Sequence, residues 1–249
     1  MRHPTRGAVT PPEVAIMSSG QQVDFQRARN AAQREVRRRA ILEAAAELLG
    51  ESPLSDISLR ELSRRVGLSK TNVVRYFETR EAVFFALLNQ TLDEWLDELP
   101  AELPPAASPA SVVDAWARSA ARRPLLCELW SSLGTELERN ISTEAVRGFK
   151  LVHHERQARL AELVRERIPE LTEPASRELV QLSIVLVAGF WPFANPSPSV
   201  AEAVKDPALA HSRVDFAERL GRALLVAVTG LMNVPPPGPG EVSAGSGPA

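Results

Sequence analysis

Three observations predict an all-α chain. Apolar residues recur at spacings of three, four and seven through most of the sequence, the period that lines one face of a helix. Serine or threonine stands just ahead of several of these runs, where a helix needs its first amide groups satisfied. No stretch alternates apolar and polar residues long enough to read as a half-buried strand.

The elements follow in order. Residues 1–22 mix Pro, Gly, Ser and Thr without period and are expected to be disordered. From Asp24 the pattern is helical, with Val36, Ala40, Ile41, Ala44, Ala45, Leu48 and Leu49 on one side and Gly50 as the expected cap. Ser58-Leu59-Arg60-Glu61 has the form of a capping box that opens a second, short helix. Gly67, between Val66 and Leu68, supplies the positive φ of a tight turn. Ser69 then caps a third helix through Phe77, and Thr79 a fourth to Leu99. The four prolines in ELPAELPPAASP (98–109) mark an interdomain linker or kink.

Beyond it, Ser108-Pro109 opens a helix to about Arg122 and Pro124 another to about Glu138. Ser142 or Thr143, with Glu144 in the first turn, opens a long one to Ile168. Residues 173–193 form the most apolar helix, a Pro-rich loop covers 194–208, and a last helix spans 209–232. The tail, 234–249, is low-complexity and expected to be disordered. The domains are therefore a head over 23–99 and a helical domain over 109–233.

Composition narrows the class. The 249 residues are 44% apolar and 24% charged, an ordinary globular balance. One cysteine excludes a disulfide framework or a multi-cysteine zinc site. The longest apolar run, around 182–193, is interrupted by serine, glycine and proline, so no membrane span is expected. The basic start lacks the apolar core of a secretory signal, which makes the cytoplasm the expected location. Net charge is −2, but residues 1–80 hold 14 Lys/Arg against 9 Asp/Glu, and residues 81–249 hold 15 against 22. A basic third joined to an acidic remainder suits a chain that meets a polyanion at one end.

Within that basic third, SLRELSRRVGLSKTNVVRYFETREAV (58–83) has the form of a helix-turn-helix. Leu62, Val66, Leu68 and Val73 would hold two short helices at a steep angle, with small Ser63 at the crossing. The second helix presents Ser69, Lys70, Thr71, Asn72, Arg75 and Tyr76, which suit base edges and phosphates. Ser58, Arg60 and Arg80 flank the same surface, as do Arg64 and Arg65. Arg27 and Arg29, in the arm QRARNAAQREVRRR (26–39), are further candidates for the minor groove or the phosphates. A short helix pair with a glycine turn also occurs in all-α proteins that never touch DNA.

These residues resemble the N-terminal signature of the tetracycline-repressor (TetR) family over about 60 positions, from AAAELLGES through ISLRELSRRVGLSKTNVVRYFETREAVF. The serine opening the second helix, the Val-Gly-Leu-Ser turn and the pair Tyr76-Phe77 carry the match. Val74 departs from it, standing where many members place a phosphate-contacting tyrosine. Arg80 replaces the common lysine at the start of the fourth helix and keeps its charge, and with it the phosphate contact that the resemblance implies there. The resemblance implies a homodimer with two heads on a palindromic operator. It further implies a C-terminal domain holding the dimer interface and a small-molecule pocket, with ligand binding that moves the fourth helix and releases DNA.

The helices at 173–193 and 209–232 are apolar enough to form either an internal core or half of an intermolecular bundle, and the resemblance favours the bundle. Trp116, Trp130, Phe149, His153 and Trp191 lie on helices expected to surround the pocket, where an apolar effector would sit, although aromatics at helical spacing also serve as plain core. Cys127 reads as a small buried hydrophobe. His153 and His154 point about 100° apart on a helix and cannot share a metal, so no metal or cofactor is expected. No phosphate-binding glycine loop, HExxH or spaced nucleophile–His–acid set stands out, and no catalytic residue is expected. Two functions fit: a ligand-responsive regulator, usually a repressor by family habit, or a DNA-binding protein whose C-terminal half recruits a partner.

Overall fold

The computed structural model describes residues 19–233 except Asn140, with side chains from Ala31 onward. The expectation of disorder for 1–22 fails at 19–22, which are helical, and for 1–18 and 234–249 it lies outside the described residues. All regular structure among those described is helical: ten α-helices joined by short 3₁₀ and π turns. Two compact units are distinguished, Met1–Ala40 and Ile41–Ala249.

Helix α1 is Ser19–Glu51, so helical structure begins ahead of Asp24. The described side chains of the first unit, residues 31–40, are exposed or half-buried, Val36 among the exposed. From Ile41 the buried face is regular: Ile41, Leu42, Ala44, Ala45 and Leu48 are all in the core. Gly50 is not the cap. The helix runs one residue further, the positive-φ glycine of the described chain is Gly67 alone, and Pro53 supplies the stop.

Helix α2 (Leu59–Val66) opens on Ser58, whose hydroxyl accepts from the Glu61 N–H at 3.1 Å. It closes on Gly67 at φ +72°, with Gly67 N–H bonded to Arg64 O and Leu68 N–H to Ser63 O, the paired bonds of a Schellman turn. Helix α3 (Lys70–Val74) is shorter than its sequence pattern suggests. Tyr76 N–H and Phe77 N–H both reach back to Val73 O, so the chain tightens there, Phe77 is buried, and Thr79 is left to cap α4.

Helix α4 (Arg80–Glu102) crosses into the segment read as a linker. Pro100 sits in its last turn and cannot donate to Leu96 O; Arg159 donates to that carbonyl instead, at 3.4 Å, and Arg167 donates to Pro100 O at 3.1 Å. The prolines at 104 and 105 follow its end at Glu102. Helices α5 (Pro109–Ala121) and α6 (Pro124–Ser132) follow, the latter running into a π turn at Leu133–Leu137. Helix α7 (Thr143–Arg167) is capped by Ser142, and α8 (Glu173–Ala194) by Thr172.

The loop read at 194–208 contains a six-residue helix, α9 (Pro198–Ala203), and a 3₁₀ turn at Pro207–Ser212. The last helix, α10 (Phe216–Asn233), therefore starts later than residue 209. Asp206 accepts from Ala208 N–H to shape the 3₁₀ turn, and Asp215 accepts from Glu218 N–H to begin the helix.

One hydrophobic core runs from Ile41 to Val228. In it α10 packs on α5 and α8, and α8 packs on α6 and α7. Helix α8 is long and apolar enough to cross a membrane by length and composition. Its apolar residues divide between two sides. Leu179, Val180, Val187 and Trp191 are buried, whereas Leu182, Val185 and Phe193 face outward.

Candidate functional site

The head surface is built on α3. Val73 and Phe77 turn into the core, so Lys70, Thr71, Asn72, Val74 and Arg75 must turn outward, and all five are exposed. Ser69 fixes the entry to this helix by accepting from Asn72 N–H at 3.2 Å. Ser58 does the same for α2, which makes both serines helix caps first. Tyr76 is half-buried, and it and Arg75 each engage other groups of the chain.

The cations around α3 differ in how they are occupied. Arg64 pairs with Glu61 along α2. Arg65 pairs with Glu51 at 2.5 Å and Glu47 at 3.2 Å, which raises its own pKa and lowers that of Glu51, chiefly through the hydrogen bonds between them. Arg80 turns toward the chain, bonding three backbone carbonyls and Glu81. Among the described residues Arg60 and Lys70 form no ion pair and are exposed, which leaves them able to meet phosphate. Arg27 and Arg29 lie on α1, and their side chains are outside the described residues.

The five aromatic and histidine positions proposed for a pocket are all buried, but their surroundings separate them. Trp191 donates to Glu128 Oε2 at 2.8 Å and packs edge-on against Phe216. Trp116 is fully buried in α5. Trp130 lies edge-on to Trp95, and its indole N–H has no hydrogen-bond partner. Phe149 stacks on Phe85 of α4 at 4.1 Å and on His153 at 5.0 Å. His153 shares a hydrogen bond of 3.1 Å between its Nδ1 and Asn89 Oδ1, while its Nε2 is buried without a partner. Burial pushes the His153 imidazole down to about 4, helped by the charges of Arg156 and Lys150, so it is neutral near pH 7. His154, the next residue, is exposed.

A polar ladder between α4 and α7 was missed in the sequence. Asn89, Asp93 and Asp97 recur every four residues on α4, and they meet His153, Arg156 and Arg159 of α7. That i, i+4, i+8 spacing of short polar residues was visible, but its partner lies more than 60 residues away in the chain. On another side of α4, Arg123 grips Glu98 at 2.5 Å and Glu102 at 2.6 Å, and Ser119 accepts from both Arg123 and the Trp95 indole. The Arg123 guanidinium holds the Glu102 carboxyl down to about 2. Cys127 is buried, its thiol pushed up to about 12 by burial and then by Glu128, and it donates to Ala120 O. Among the described residues no three His, Cys, Asp or Glu side chains are gathered to hold a metal.

The second exposed surface lies on α8 and α10. Leu182, Val185 and Phe193 of α8 and Val226 of α10 stand open, with Gly189 and Gly230 exposed among them. Phe190, Phe193, Val214, Ala223 and Val226 line a groove of about 490 Å³ there, bordered by Arg219 and Arg222.

Two family models match. Residues 41–87 match the model described as bacterial regulatory proteins of the tetR family, and residues 89–235 match the tetracyclin repressor-like C-terminal domain, which alone is more than half the chain. The transcriptional regulator RutR of Escherichia coli K12 is 37% identical over 59 residues, which are 24% of this chain and 28% of RutR. The regulator EthR of Mycobacterium tuberculosis H37Rv is 38% identical over 55 residues, 22% of this chain and 26% of EthR. The chain thus matches only about a quarter of the length of these relatives. Among solved structures, FadR of Bacillus subtilis in complex with stearoyl-CoA aligns with 77% of this chain and 97% of its own, at 13% identity and a TM-score of 0.52, a likeness of fold. The helix-turn-helix head and the two model matches together establish that the chain belongs to the TetR family of DNA-binding transcriptional regulators.

Proposed function

We propose that the protein is a homodimeric repressor that grips a palindromic operator with two α3 helices and lets go when a small apolar effector enters the C-terminal domain. The observation that carries the reading is the state of the head surface. Among the described residues Arg60 and Lys70 stand exposed without an ion pair beside Thr71 and Asn72, on helices capped by Ser58 and Ser69. Cations left unpaired suit phosphate, and short amide and hydroxyl side chains on a held helix suit base edges. Ser58, Ser69, Arg75 and Tyr76 shape or border this surface, and Arg27 and Arg29 are proposed as further DNA contacts.

Dimerisation falls to α8 and α10, whose outward apolar residues form a stripe with small glycines that permit close approach between helices. An isologous contact there sets the separation of the two heads, which must match one turn of DNA, about 34 Å. The effector site is assigned to the interior around Trp130, Phe149 and His153, with Trp116 and Trp191 as its further walls. Two buried nitrogens without partners, Trp130 Nε1 and His153 Nε2, suit a ligand that is mostly apolar and carries a hydrogen-bonding group. The domains in this reading are the head to Leu99 and the regulatory part from Pro109, bridged by α4. A DNA-binding regulator of this kind works beside the chromosome in the cytoplasm, as a binding protein rather than an enzyme.

One feature favours recruitment of a partner instead of a ligand. A groove of about 670 Å³ between the end of α8 and α9 is lined by Phe193, Val200 and Val204, and both Phe193 and Val200 are exposed. A thermal-shift screen with apolar metabolites separates the two: a rise in melting temperature supports the effector, and a flat screen favours the partner.

The central test is selection from a random DNA pool across a salt series. A palindromic consensus with a steep negative slope of log K against log salt is expected. No enrichment over competitor DNA, both before and after refolding from denaturant to strip any bound ligand, would reject the reading.

A further inference from the structure

The family pattern and the charge of Arg80 both point to a phosphate contact, and the head geometry says otherwise. Arg80 is the first residue of α4, just after the Thr79 cap. Its Nη1 donates to Leu54 O at 3.2 Å, Ile57 O at 3.3 Å and Ser55 O at 3.4 Å. Its Nη2 and Nε both face Glu81 Oε1 at 3.1 Å. The Glu81 side chain is only 10% exposed and that of Arg80 only 20%. The three carbonyls belong to the turn between Pro53 and Ser58, which is anchored in the core by Leu54 and Ile57 and leads directly into the cap of α2.

We propose that Arg80 is a positioning residue: it locks the start of α4 to the turn that launches α2, and so sets the angle at which α3 is presented. This rests on the reading of α3 as the DNA-contacting helix. A guanidinium is suited to this task because its donors are fixed in a plane and can serve several acceptors together, which a single ammonium cannot. Its charge is already matched by Glu81, so moving to phosphate would strand a nearly buried carboxylate and three carbonyls. The paired residues add no net cation to the DNA surface and release no counterion on binding.

The position of the lock gives it a second consequence. The later turns of α4 are held to α7 through Asn89, Asp93 and Asp97, and to Arg123 through Glu98 and Glu102. Arg80 thus joins the first turn of the same helix to the segment that launches α2. Arg60 and Lys70, in contrast, are exposed and form no ion pair among the described residues.

The test compares Arg80→Lys, the double variant Arg80→Gln with Glu81→Gln, and Lys70→Ala. Each is titrated with a duplex enriched by the wild-type chain and with a scrambled duplex, over a salt series, well below its melting temperature. For both Arg80 variants, affinity for the enriched duplex is expected to fall about tenfold, with the scrambled duplex and the salt slope unchanged. Lys70→Ala should weaken both duplexes and lower the slope by about 0.9. Amide exchange at residues 56–62 should quicken in the Arg80 variants and not in Lys70→Ala. An Arg80 variant that weakens both duplexes and flattens the slope as Lys70→Ala does would make Arg80 a phosphate ligand and overturn the proposal. Equal loss on both duplexes at constant slope, or no loss on either, would overturn it too. If the wild-type chain enriches no duplex, the DNA-binding reading itself fails, and the role of Arg80 goes with it.

Discussion

The surface of α3 and the outer face of α8 and α10 are both open to solvent, yet their chemistry is opposite. On and just after α3 the exposed side chains are polar or cationic apart from Val74, and Val73 and Phe77 are buried. On α8 the buried side is already full, and Leu182, Val185 and Phe193 remain outside, with Val185 at 67% and Phe193 at 69% exposure. A polar exposed surface is stable alone and binds through charge and hydrogen bonds. An exposed apolar stripe is unfavourable in water and gains by being covered. One chain therefore carries a surface suited to a reversible, salt-sensitive contact and another suited to a lasting one.

The largest effect is expected from breaking the apolar face. Val185→Asp places a charge on a position exposed in the single chain, so it should leave the fold intact and act on association, where symmetry counts it twice. Sedimentation is expected to show monomers, and operator affinity should fall about 100-fold or more as the linkage of the two heads is lost. A dimer of unchanged strength would move the interface elsewhere.

On the polar face, Asn72→Ala or Thr71→Ala should relax sequence preference, at about 1–3 kcal/mol if the side chain reads a base. Repeating the DNA selection with each variant checks this, and an unchanged consensus would remove that residue from base reading.

A smaller effect sharpens the division among the cations. Arg60→Ala and Lys70→Ala should each lower the salt slope by about 0.9, whereas Arg65→Ala should leave it nearly unchanged because Glu47 and Glu51 already meet its charge. Equal slopes for all three variants would mean that ion pairing within the head does not decide which cations reach DNA.

A further effect belongs to the interior, which both faces depend on. His153 is held neutral in the folded chain, with its pKa down at about 4 from an ordinary 6.5. The unfolded chain thus takes up the proton first. The stabilisation is complete above about pH 6.5 and is lost as pH falls toward 4. His153→Gln should flatten the dependence of denaturation midpoint on pH across that window; a slope equal to wild type would show that other groups carry it. Glu102, held down at about 2, contributes in a separate window below the ordinary carboxylate pKa of 4.5.

Legibility in the sequence followed the range of each interaction. Ser58, Ser69, Thr79, Ser108 and Ser142 all cap helices as their positions suggest, because a cap bonds an amide three residues away. Gly67 was readable for the same reason. Pro100 misled because its missing hydrogen bond is compensated by Arg159, 59 positions further along. Gly50 misled because glycine is also tolerated inside a helix when a proline beyond it supplies the stop. The expected start of the last helix at 209 is too early because Asp206 and Asp215 begin two separate elements there.

The sequence alone therefore determined the helical class, the helix-turn-helix with its capped and glycine-turned joints, and the residue types offered to DNA, since all of these depend on neighbours within about one or two helical turns. Only the tertiary structure decided which of those residues are available. Arg65 and Arg80 are as basic as Arg60 and Lys70, but distant carboxylates and carbonyls occupy them. Trp130 and Trp191 are both buried indoles, but only Trp191 has found an acceptor, on Glu128. Charge and hydrogen-bonding capacity belong to the residue, whereas their availability depends on partners that the fold brings from far along the chain.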